Sequence, residues 1–546
     1  MHESDSVTGT YVETSLTAEV YPASVAPDLE QAPIPRPAGG AAATFTRNSL
    51  ISVGRLLATT VVALVLPAYL THRLPVKTYS AWVLLLQMSA YVGYLDFGVQ
   101  TAVAKYVAEF EAKADSTGAG MRASAGLALM SLAAVLGVIL TLTLAWRVPH
   151  LFAQMPPALY PSVRISLVLI GVSLSLGLLG SVPSAIFLGL QRYSVPMVIS
   201  LLNRALFTIV VVSTVFLHGS LAIMGAGVAA VNVATGMIQI SAWRRMASHV
   251  RLSFAGLDRA VLKQMLSYCS VMGIWTVGML CVSGLDVTIV GHFDFGQTAF
   301  YSIATLPTNF ILSIMGAALG PLLPATSALS ASRSAEAMGE LLSRLTRYST
   351  VLLLLCGLPM MLGGYWILSL WVGAAYAAHT IAFLRVLLLA NIVRNICLPY
   401  ATMLAATGRQ NVAVAGATAE AVVNVTCSIL LAQRIGAMGV AYGTLIGSFV
   451  SVGMHFAVSM HYTYRTFSVT RARLFLKGVL GPLTVAIPSL VVVLFRWSAL
   501  LPRLTAGGWL AWGSSTLLLA WAAGITAGER TQLASIGARR LRALVS

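Results

Sequence analysis

The sequence predicts an all-α integral membrane protein with about fourteen transmembrane helices. Of its 546 residues, 58% are hydrophobic and only 9% are charged, whereas a soluble domain has about 25% charged residues. Runs of about 20 residues without a fixed charge, long enough to cross about 30 Å of hydrocarbon as a helix, recur along the chain. These runs are continuously apolar, while the strands of a membrane barrel alternate apolar and polar residues, so helices are favoured.

The candidate spans follow one another from residue 49 to the C-terminal region. They begin near residues 49, 79, 122, 163, 194, 221, 264, 298, 348, 378, 411, 436, 474 and 506. The first 45 residues are acidic and rich in Pro, Ala and Gly, which indicates a disordered tail. We therefore predict a cytoplasmic tail at 1–45, spans 1–6 at 46–245, a cytoplasmic linker at 246–263, spans 7–12 at 264–462, spans 13–14 at 463–528 and a basic tail at 529–546.

The distribution of basic residues predicts the orientation. Most of the 34 Lys and Arg residues fall in alternate loops, and positive loops are retained on the cytoplasmic side. This pattern places both termini in the cytoplasm and explains the formal net charge of +17. Because the basic residues are dispersed over many short loops, they do not form the clustered face of a nucleic-acid-binding protein.

The cysteines predict neither a metal site nor a disulfide framework. All five fall inside predicted spans with no Cys-x-x-Cys spacing, at positions 269, 281, 356, 397 and 427, and small apolar packing residues are their simplest interpretation. No cofactor-binding motif is present either, and no cofactor is predicted.

The two halves of the chain are similar to each other. GLQRYSVPMV from Gly189 resembles ATGRQNVAVA from Ala406, and GAGVAAVN from Gly225 resembles AMGVAYGT from Ala437. A weaker similarity pairs KTYSAWVLL near the start of span 2 with QTAFYSIAT at the start of span 8. Three matches in the same order predict two pseudo-symmetric lobes of six helices around a central cavity, with two extra C-terminal helices.

Several motifs resemble a known family of transporters. YLDFGVQTAVAKYVAE, from Tyr94 to Glu109, resembles the end of span 2 in polysaccharide flippases of the multidrug/oligosaccharidyl-lipid/polysaccharide exporter (MOP) superfamily. A Tyr-x-x-Trp entry to the same span occurs at Tyr79 and Trp82. SGLDVTIVGHFDFGQTAFYSIA, from Ser283, resembles the region where an acidic residue near the end of span 7 precedes a Gly-containing turn. The resemblance runs from about residue 44 to the end of the chain.

The resemblance implies transport without bond making. Members carry undecaprenyl-pyrophosphate-linked oligosaccharides across the bacterial inner membrane for O-antigen, capsule or exopolysaccharide assembly. The polar head needs a wet cavity between the lobes, since it cannot cross hydrocarbon unaided, and rocking of the lobes gives alternating access. The expected partners are the lipid-linked oligosaccharide, a coupling cation, H⁺ or Na⁺, and a polysaccharide polymerase or synthase docked alongside.

Arg204 and Glu420 are the first candidates for a central site. Counting 1.5 Å per residue from the starts of spans 5 and 11 places both near the midplane, and the repeat aligns Glu420 with Asn203. Ionisable residues at membrane depth are costly and are functional candidates by default. Arg204 would attract pyrophosphate and Glu420 would bind the coupling ion; an Arg204–Glu420 ion pair is the structural alternative.

The other candidates lie on spans 1, 2, 7 and 10. Arg394, flanked by Asn391 and Asn395, makes a sugar-binding strip along span 10, with packing against neighbouring helices as the alternative. Arg55 and Arg385 could line the path or extend to the membrane interface. Asp96, near the cytoplasmic end of span 2, and Asp286, near the outer end of span 7, are predicted to have gating or structural roles.

A peptidoglycan-precursor flippase also has fourteen spans and a basic cavity, but the motifs of spans 2 and 7 resemble the polysaccharide branch more. Two other functions remain as alternatives. A multidrug/cation antiporter of the same superfamily usually has twelve spans and more intramembrane acids. A membrane polysaccharide polymerase or ligase represents the enzyme class, but it would be expected to have one large outer loop, and every predicted outer loop here is short. The sequence also lacks a Gly-x-x-x-x-Gly-Lys phosphate-binding loop, and we predict that the protein is not an enzyme.

Overall fold

The computed structural model describes residues 62, 64–252, 257–319, 326, 334–409, 411–494, 506–524, 526, 528 and 529. The predicted N-terminal tail, Arg55 and all but the first residue of the predicted basic tail lie outside these residues. Within the described residues every regular element is helical and no strand occurs, which confirms the predicted fold class. Lipid offers the backbone no hydrogen-bond partners, and helices satisfy their own.

We number the helices by the predicted span that each contains. They are α1 at 64–73, α2 Val76–Ala112, α3 Ser116–Leu151, α4 Pro157–Gly189, α5 Ser194–Phe216, α6 Leu221–Met246, α7 Arg259–Gly284 with its continuation Asp286–Phe293, α8 Phe295–Leu319, α9 Ala335–Val372, α10 Ala374–Ala406, α11 Asn411–Ile435, α12 Ala437–Thr463, α13 Arg471–Val493 and α14 Ala506–Gly524. In the described part of the chain, 12 helices, α2 to α13, are long and apolar enough to cross a membrane. With α1 and α14 in the first and last predicted spans, the chain is a multi-pass membrane protein.

The same pairs of helices pack together in both halves of the chain. In the first half α4 packs against α2, α3 and α6, and α5 packs against α6. In the second half α10 packs against α8, α9 and α12, and α11 packs against α12. Each second-half pair corresponds to a first-half pair six helices earlier, as a six-plus-six repeat would require. The residue boundaries of the lobes stay a prediction.

Helix α2 is interrupted inside the YLDFGVQTAVAKYVAE motif. A 3-10 turn ends at Asp96, and Phe97 and Gly98 then adopt positive φ angles of 45° and 80°. Gly98 lies against α7, where a Cβ atom would approach the Met272 Cβ atom to 2.5 Å, and glycine fits both the conformation and the close approach. Asp96 Oδ1 accepts a hydrogen bond from Gln100 N at 3.1 Å as the helix resumes.

Hydrogen bonds join the two halves at the face predicted to be external. Gln154, between α3 and α4, donates from Nε2 to Phe293 O at 2.8 Å and accepts from Phe295 N at 3.1 Å. His292 Nδ1 lies 2.5 Å from Leu151 O. Both bonds of Gln154 are to the backbone of the turn between α7 and α8, so this one side chain connects the first half to that turn.

Further contacts join the halves along α1 and α2 and at the opposite face. Bonds between the halves also run from Gln87 Nε2 to Gly284 O at 2.6 Å, from Ala299 N to Ser80 Oγ at 3.2 Å and from Trp371 Nε1 to Leu64 O at 2.7 Å. At the face predicted to be cytoplasmic, Tyr106 packs edge-to-face on Tyr268 with ring centroids 6.4 Å apart. Lys105 Nζ lies 5.2 Å and 5.1 Å from the two ring centroids, a cation–π geometry.

The C-terminal end of α14 is attached to α9 by a cluster of charges. Arg347 donates from Nε to Gly524 O at 2.9 Å and from Nη2 to the two carboxylate oxygens of Glu529 at 2.8 Å and 2.6 Å. Arg344 Nε lies 3.0 Å from Glu529 Oε1. Charge-assisted bonds of this kind are stronger than neutral ones, and they fix the end of α14 to the second half.

This attachment predicts an acid-sensitive contribution to stability. Burial alone would raise the pKa of Glu529, but hydrogen bonds from Thr526 and Tyr348 and the charge of Arg347 outweigh it and lower the pKa from 4.5 to about 2. The stabilisation is complete above about pH 4.5 and is lost as the pH falls towards about 2. We expect the Tm difference between wild type and Glu529→Gln in detergent to vanish over this range. A difference that does not change with pH would contradict the prediction.

Candidate functional site

A buried ion pair lies in the middle of the second half of the chain. Glu420 lies near the middle of α11 and is only 6% exposed. Arg394 on α10 donates a hydrogen bond from Nε to Glu420 Oε1, and its side chain is 19% exposed. Removing two charges from water is expensive, and each of these groups depends on the other for compensation.

Glu420 therefore pairs with a different arginine from the one considered in the sequence analysis. Arg204 lies on α5 in the first half and is exposed, whereas Arg394 lies on α10, which packs with α11 against α12. The Arg204–Glu420 ion pair is wrong as a prediction, because helix packing brings together two charges of the same half. Counting depth along single helices did not show which helices are neighbours.

Asp286 belongs to the same cluster of charges. It follows a π-helical turn, Leu280–Gly284, and its buried carboxylate accepts hydrogen bonds from Tyr301 Oη at 3.3 Å and Thr444 Oγ1 at 3.2 Å. The charge of Arg394 interacts electrostatically with this carboxylate. Arg394 Nη2 is buried and has no hydrogen-bond partner among the described residues. The guanidinium thus bonds the Glu420 carboxylate, acts on the Asp286 carboxylate through its charge, and has an Nη2 group without a partner among the described residues.

Asn424 is a member of this cluster that the sequence analysis missed. It is fully buried on α11, and its Nδ2 donates to Val282 O at 2.6 Å within the π-helical turn of α7. Ser428 Oγ donates to Asn424 Oδ1 at 3.2 Å. Asn424 follows Glu420 by four residues, which places both on one face of the helix. That spacing was the signal in the sequence, and π-helical turns are frequent at functional sites.

The other predicted polar residues of α10 bond locally. Asn391 and Asn395 donate to backbone carbonyls one turn earlier on α10, at 2.9 Å and 2.8 Å. Arg385 is exposed, and its Nε donates to Met361 O on α9 at 3.1 Å. The structure does not join these side chains to the Arg394–Glu420 pair, and the sugar-binding strip stays a prediction.

The first half contains a neutral polar cluster at the corresponding place. Asn203 on α5 donates to Asn232 Oδ1 at 3.3 Å and to Thr235 Oγ1 at 2.9 Å, and Asn232 donates to Ser173 Oγ at 3.0 Å. The sequence repeat aligns Asn203 with Glu420, so amides in one half occupy the place of charges in the other. Arg204 is the next residue, exposed at the middle of α5. Arginines at membrane depth normally face polar rather than lipid surroundings, and a role of Arg204 in a central site stays a prediction.

No protein-family model and no curated protein matches the sequence, but solved structures match the fold. The lipid II flippase MurJ in an inward closed conformation aligns with a TM-score of 0.65 at 13% identity, covering 90% of this chain and 99% of that one. An inward-facing multidrug resistance MATE transporter of the MOP superfamily aligns with a TM-score of 0.63 at 15% identity, covering 76% of this chain and 94% of that one. This chain has the MOP-superfamily fold.

A third structure with this fold is a MOP-superfamily transporter from Pyrococcus furiosus, described as having a binding pocket of reverse polarity. It aligns with a TM-score of 0.51 at 16% identity, covering 78% of this chain and 95% of that one. The predicted superfamily resemblance is therefore confirmed at the level of the fold. Within that fold, Arg394, Glu420 and Asp286 bring three ionisable side chains from α10, α11 and α7 into the interior of the described residues.

Proposed function

We propose that this protein flips undecaprenyl-pyrophosphate-linked oligosaccharide repeat units across the bacterial inner membrane for O-antigen, capsule or exopolysaccharide assembly. The observation that carries the proposal is the alignment with the lipid II flippase over 90% of this chain, compared with 76% for the MATE transporter. The MATE alignment leaves a larger share of this chain unmatched, as expected if α13 and α14 have no counterpart in a twelve-span antiporter. A lipid-linked substrate keeps its tail in the bilayer, and only the polar head has to cross.

The buried ion pair gives the proposal a coupling mechanism. Glu420 binds a proton or a sodium ion, which neutralises the carboxylate and weakens its hold on Arg394. The freed guanidinium, together with Arg204, then binds the pyrophosphate of the substrate, since planar arginine groups match phosphate oxygens. Ion binding and head-group binding are thereby linked through one arginine, and alternating access of the lobes carries the head across.

The proposed setting follows from the loop charges. Both termini face the cytoplasm, and the polymerase or synthase that uses the flipped repeat unit docks alongside in the inner membrane. The protein makes and breaks no covalent bond and is not an enzyme. The polar path of the substrate head group is lined in part by Arg55, Arg385, Asn391 and Asn395. Asp96 caps the interrupted helix α2 and has a structural role, whereas Asp286 acts with the ion pair.

The test is complementation of a deletion strain. We expect the deletion to remove surface polysaccharide and to accumulate lipid-linked repeat units on the cytoplasmic face of the membrane. Wild type and Arg434→Ala, a matched variant of an exposed arginine at the end of α11, should restore export, whereas Arg204→Ala, Glu420→Ala and Glu420→Gln should not. Unchanged polysaccharide together with lost drug resistance would instead indicate the multidrug/cation antiporter.

A further inference from the structure

The N-terminal part of α7, Arg259–Met279, packs against the first half of the chain, although α7 belongs to the second half. Met265 and Cys269 are buried in one apolar cluster with residues of α2, α3 and α4. Three residues after Cys269, Met272 is in close contact with Gly98 of α2. Separating the two halves at the face predicted to be cytoplasmic therefore requires this part of α7 to leave α2.

Three side chains complete this contact at its exposed edge. Tyr106 of α2 is 6% exposed and packs edge-to-face on half-buried Tyr268 of α7. Lys105 is exposed, and its Nζ lies 5.2 Å from the Tyr106 ring centroid and 5.1 Å from the Tyr268 ring centroid. One ammonium group is thus shared by two aromatic rings that belong to opposite halves of the chain.

The partners of Lys105 differ from those of Lys113, which directly follows the end of α2. Lys113 Nζ lies 5.2 Å from the Phe110 ring centroid and 2.8 Å from Glu109 Oε1, and both of these partners belong to α2. Among the described residues no carboxylate forms a salt bridge with Lys105, and the Glu109 charge acts on it only at longer range. Lys113 therefore makes the same kind of contact with a ring without joining the two halves.

We propose that Lys105, Tyr106 and Tyr268 form a latch that holds the face predicted to be cytoplasmic closed. The contacts of Tyr268 with Tyr106 and Lys105 exist only while α7 lies against α2, so they stabilise the closed conformation relative to the open one. The contact between Lys105 and Tyr106 lies within α2 and is kept in both conformations. The latch requires the two halves to separate at this face, but it does not depend on which molecule is transported.

Cys269 is a native probe of the latch. It directly follows Tyr268, is 5% exposed and lies in the apolar cluster shared with the first half. A thiol reagent reaches it when α7 leaves α2, and if opening is fast the rate of modification follows the open population. Cys397 of α10 is 6% exposed and lies within the second half, so it is the internal control.

The test compares the rates at which N-ethylmaleimide modifies Cys269 and Cys397 in nanodiscs, measured by mass spectrometry of the cysteine-containing peptides. We expect modification of Cys269 to be about threefold faster in Lys105→Met, which loses the cation–π contact with Tyr268. In Tyr268→Leu it should be about tenfold faster, because the ring pair is lost as well. Lys113→Met, the matched lysine variant, should react at the wild-type rate, and the Cys397 rate should be the same in all four proteins.

Gln154→Ala separates opening of the latch from a general loss of stability. Gln154 joins the two halves at the opposite face, so its replacement loosens that face and leaves the latch intact. A general loosening of the fold would make Cys269 react faster in this variant too. The latch predicts a Cys269 rate no faster than that of wild type, and a faster rate would contradict it.

Three further results would overturn the proposal. The first is an unchanged Cys269 rate in both Lys105→Met and Tyr268→Leu, and the second is an equally faster rate in Lys113→Met. The third is a parallel rise in the rates of Cys269 and Cys397, which would show that the variants unfold rather than open. The Tm of each variant is measured alongside. Faster Cys269 modification in a protein that fails to flip oligosaccharide would overturn the proposed function and leave the latch standing.

Discussion

Replacing both members of the buried ion pair, Arg394→Met together with Glu420→Leu, is expected to restore stability without restoring transport. Either single replacement leaves a buried charge without its partner, which costs about 3–5 kcal/mol. Replacing a buried pair by hydrophobic residues of similar volume is often neutral or stabilising. The double variant loses the Arg394 charge that acts on buried Asp286, but it keeps no unpaired member of the ion pair. It should therefore unfold at a clearly higher temperature than either Arg394→Met or Glu420→Leu alone.

The comparison separates a structural ion pair from a functional one. Tm is measured in detergent for all four proteins, and export is measured in the deletion strain at matched expression. Arg434→Ala reports the effect of losing an exposed charge near the end of the same helix α11. Recovery of both Tm and export in the double variant would show that the pair only holds α10 and α11 together, and the coupling mechanism would then be wrong.

Gln154→Ala is expected to shift the protein towards a conformation open at the predicted external face. The variant loses two hydrogen bonds from Gln154 to the turn between α7 and α8, each contributing about 1 kcal/mol. A loss of about 2 kcal/mol corresponds to about a 30-fold change in the ratio of open to closed protein. Spin labels at Lys77 and Ala375, exposed residues near the predicted external ends of α2 and α10, report the opening.

The distance between the two labels is measured by pulsed electron paramagnetic resonance, with the five native cysteines replaced by serine. Gln297→Ala is the matched control, because Gln297 takes part in the same turn through its backbone N–H rather than its side chain. We expect a longer distance to appear in Gln154→Ala and not in Gln297→Ala. The same distance distribution in both variants would contradict the account of this contact.

The number and order of the helices could be predicted because lipid imposes a simple requirement. Each span needs an apolar run of sufficient length, and each predicted span contains one observed helix. The predicted helix starts differ most from those in the structure where a helix extends beyond its apolar run. Helix α9 begins at Ala335, whereas its apolar run begins near residue 348. Hydropathy detects the part of a helix that lies in lipid, and the preceding turns with Glu336, Glu340 and Arg344 carry no such signal.

The sequence identified Glu420 and Arg394 as candidates, but it did not show that their side chains pair with each other. Counting along α5 and α11 predicts that Arg204 and Glu420 lie near the midplane, because the rise per residue of a helix is fixed. The pairing of Glu420 with Arg394 depends on how the helices pack and rotate, which short-range patterns do not encode. Asn424 escaped notice for a similar reason, since its importance comes from its hydrogen bond to the backbone carbonyl of Val282.

The most direct test of the proposed function is a flipping assay with purified protein. The protein is reconstituted in liposomes that contain undecaprenyl-pyrophosphate-linked oligosaccharide from the source bacterium, and a membrane-impermeant oxidant reports how much sugar is accessible from outside. With wild-type protein, the oxidant should reach the sugar that started in the inner leaflet as well as the sugar in the outer leaflet. With Glu420→Gln it should reach only the outer-leaflet sugar, as in protein-free liposomes. Sugar that stays protected in the inner leaflet with wild-type protein would contradict the proposal.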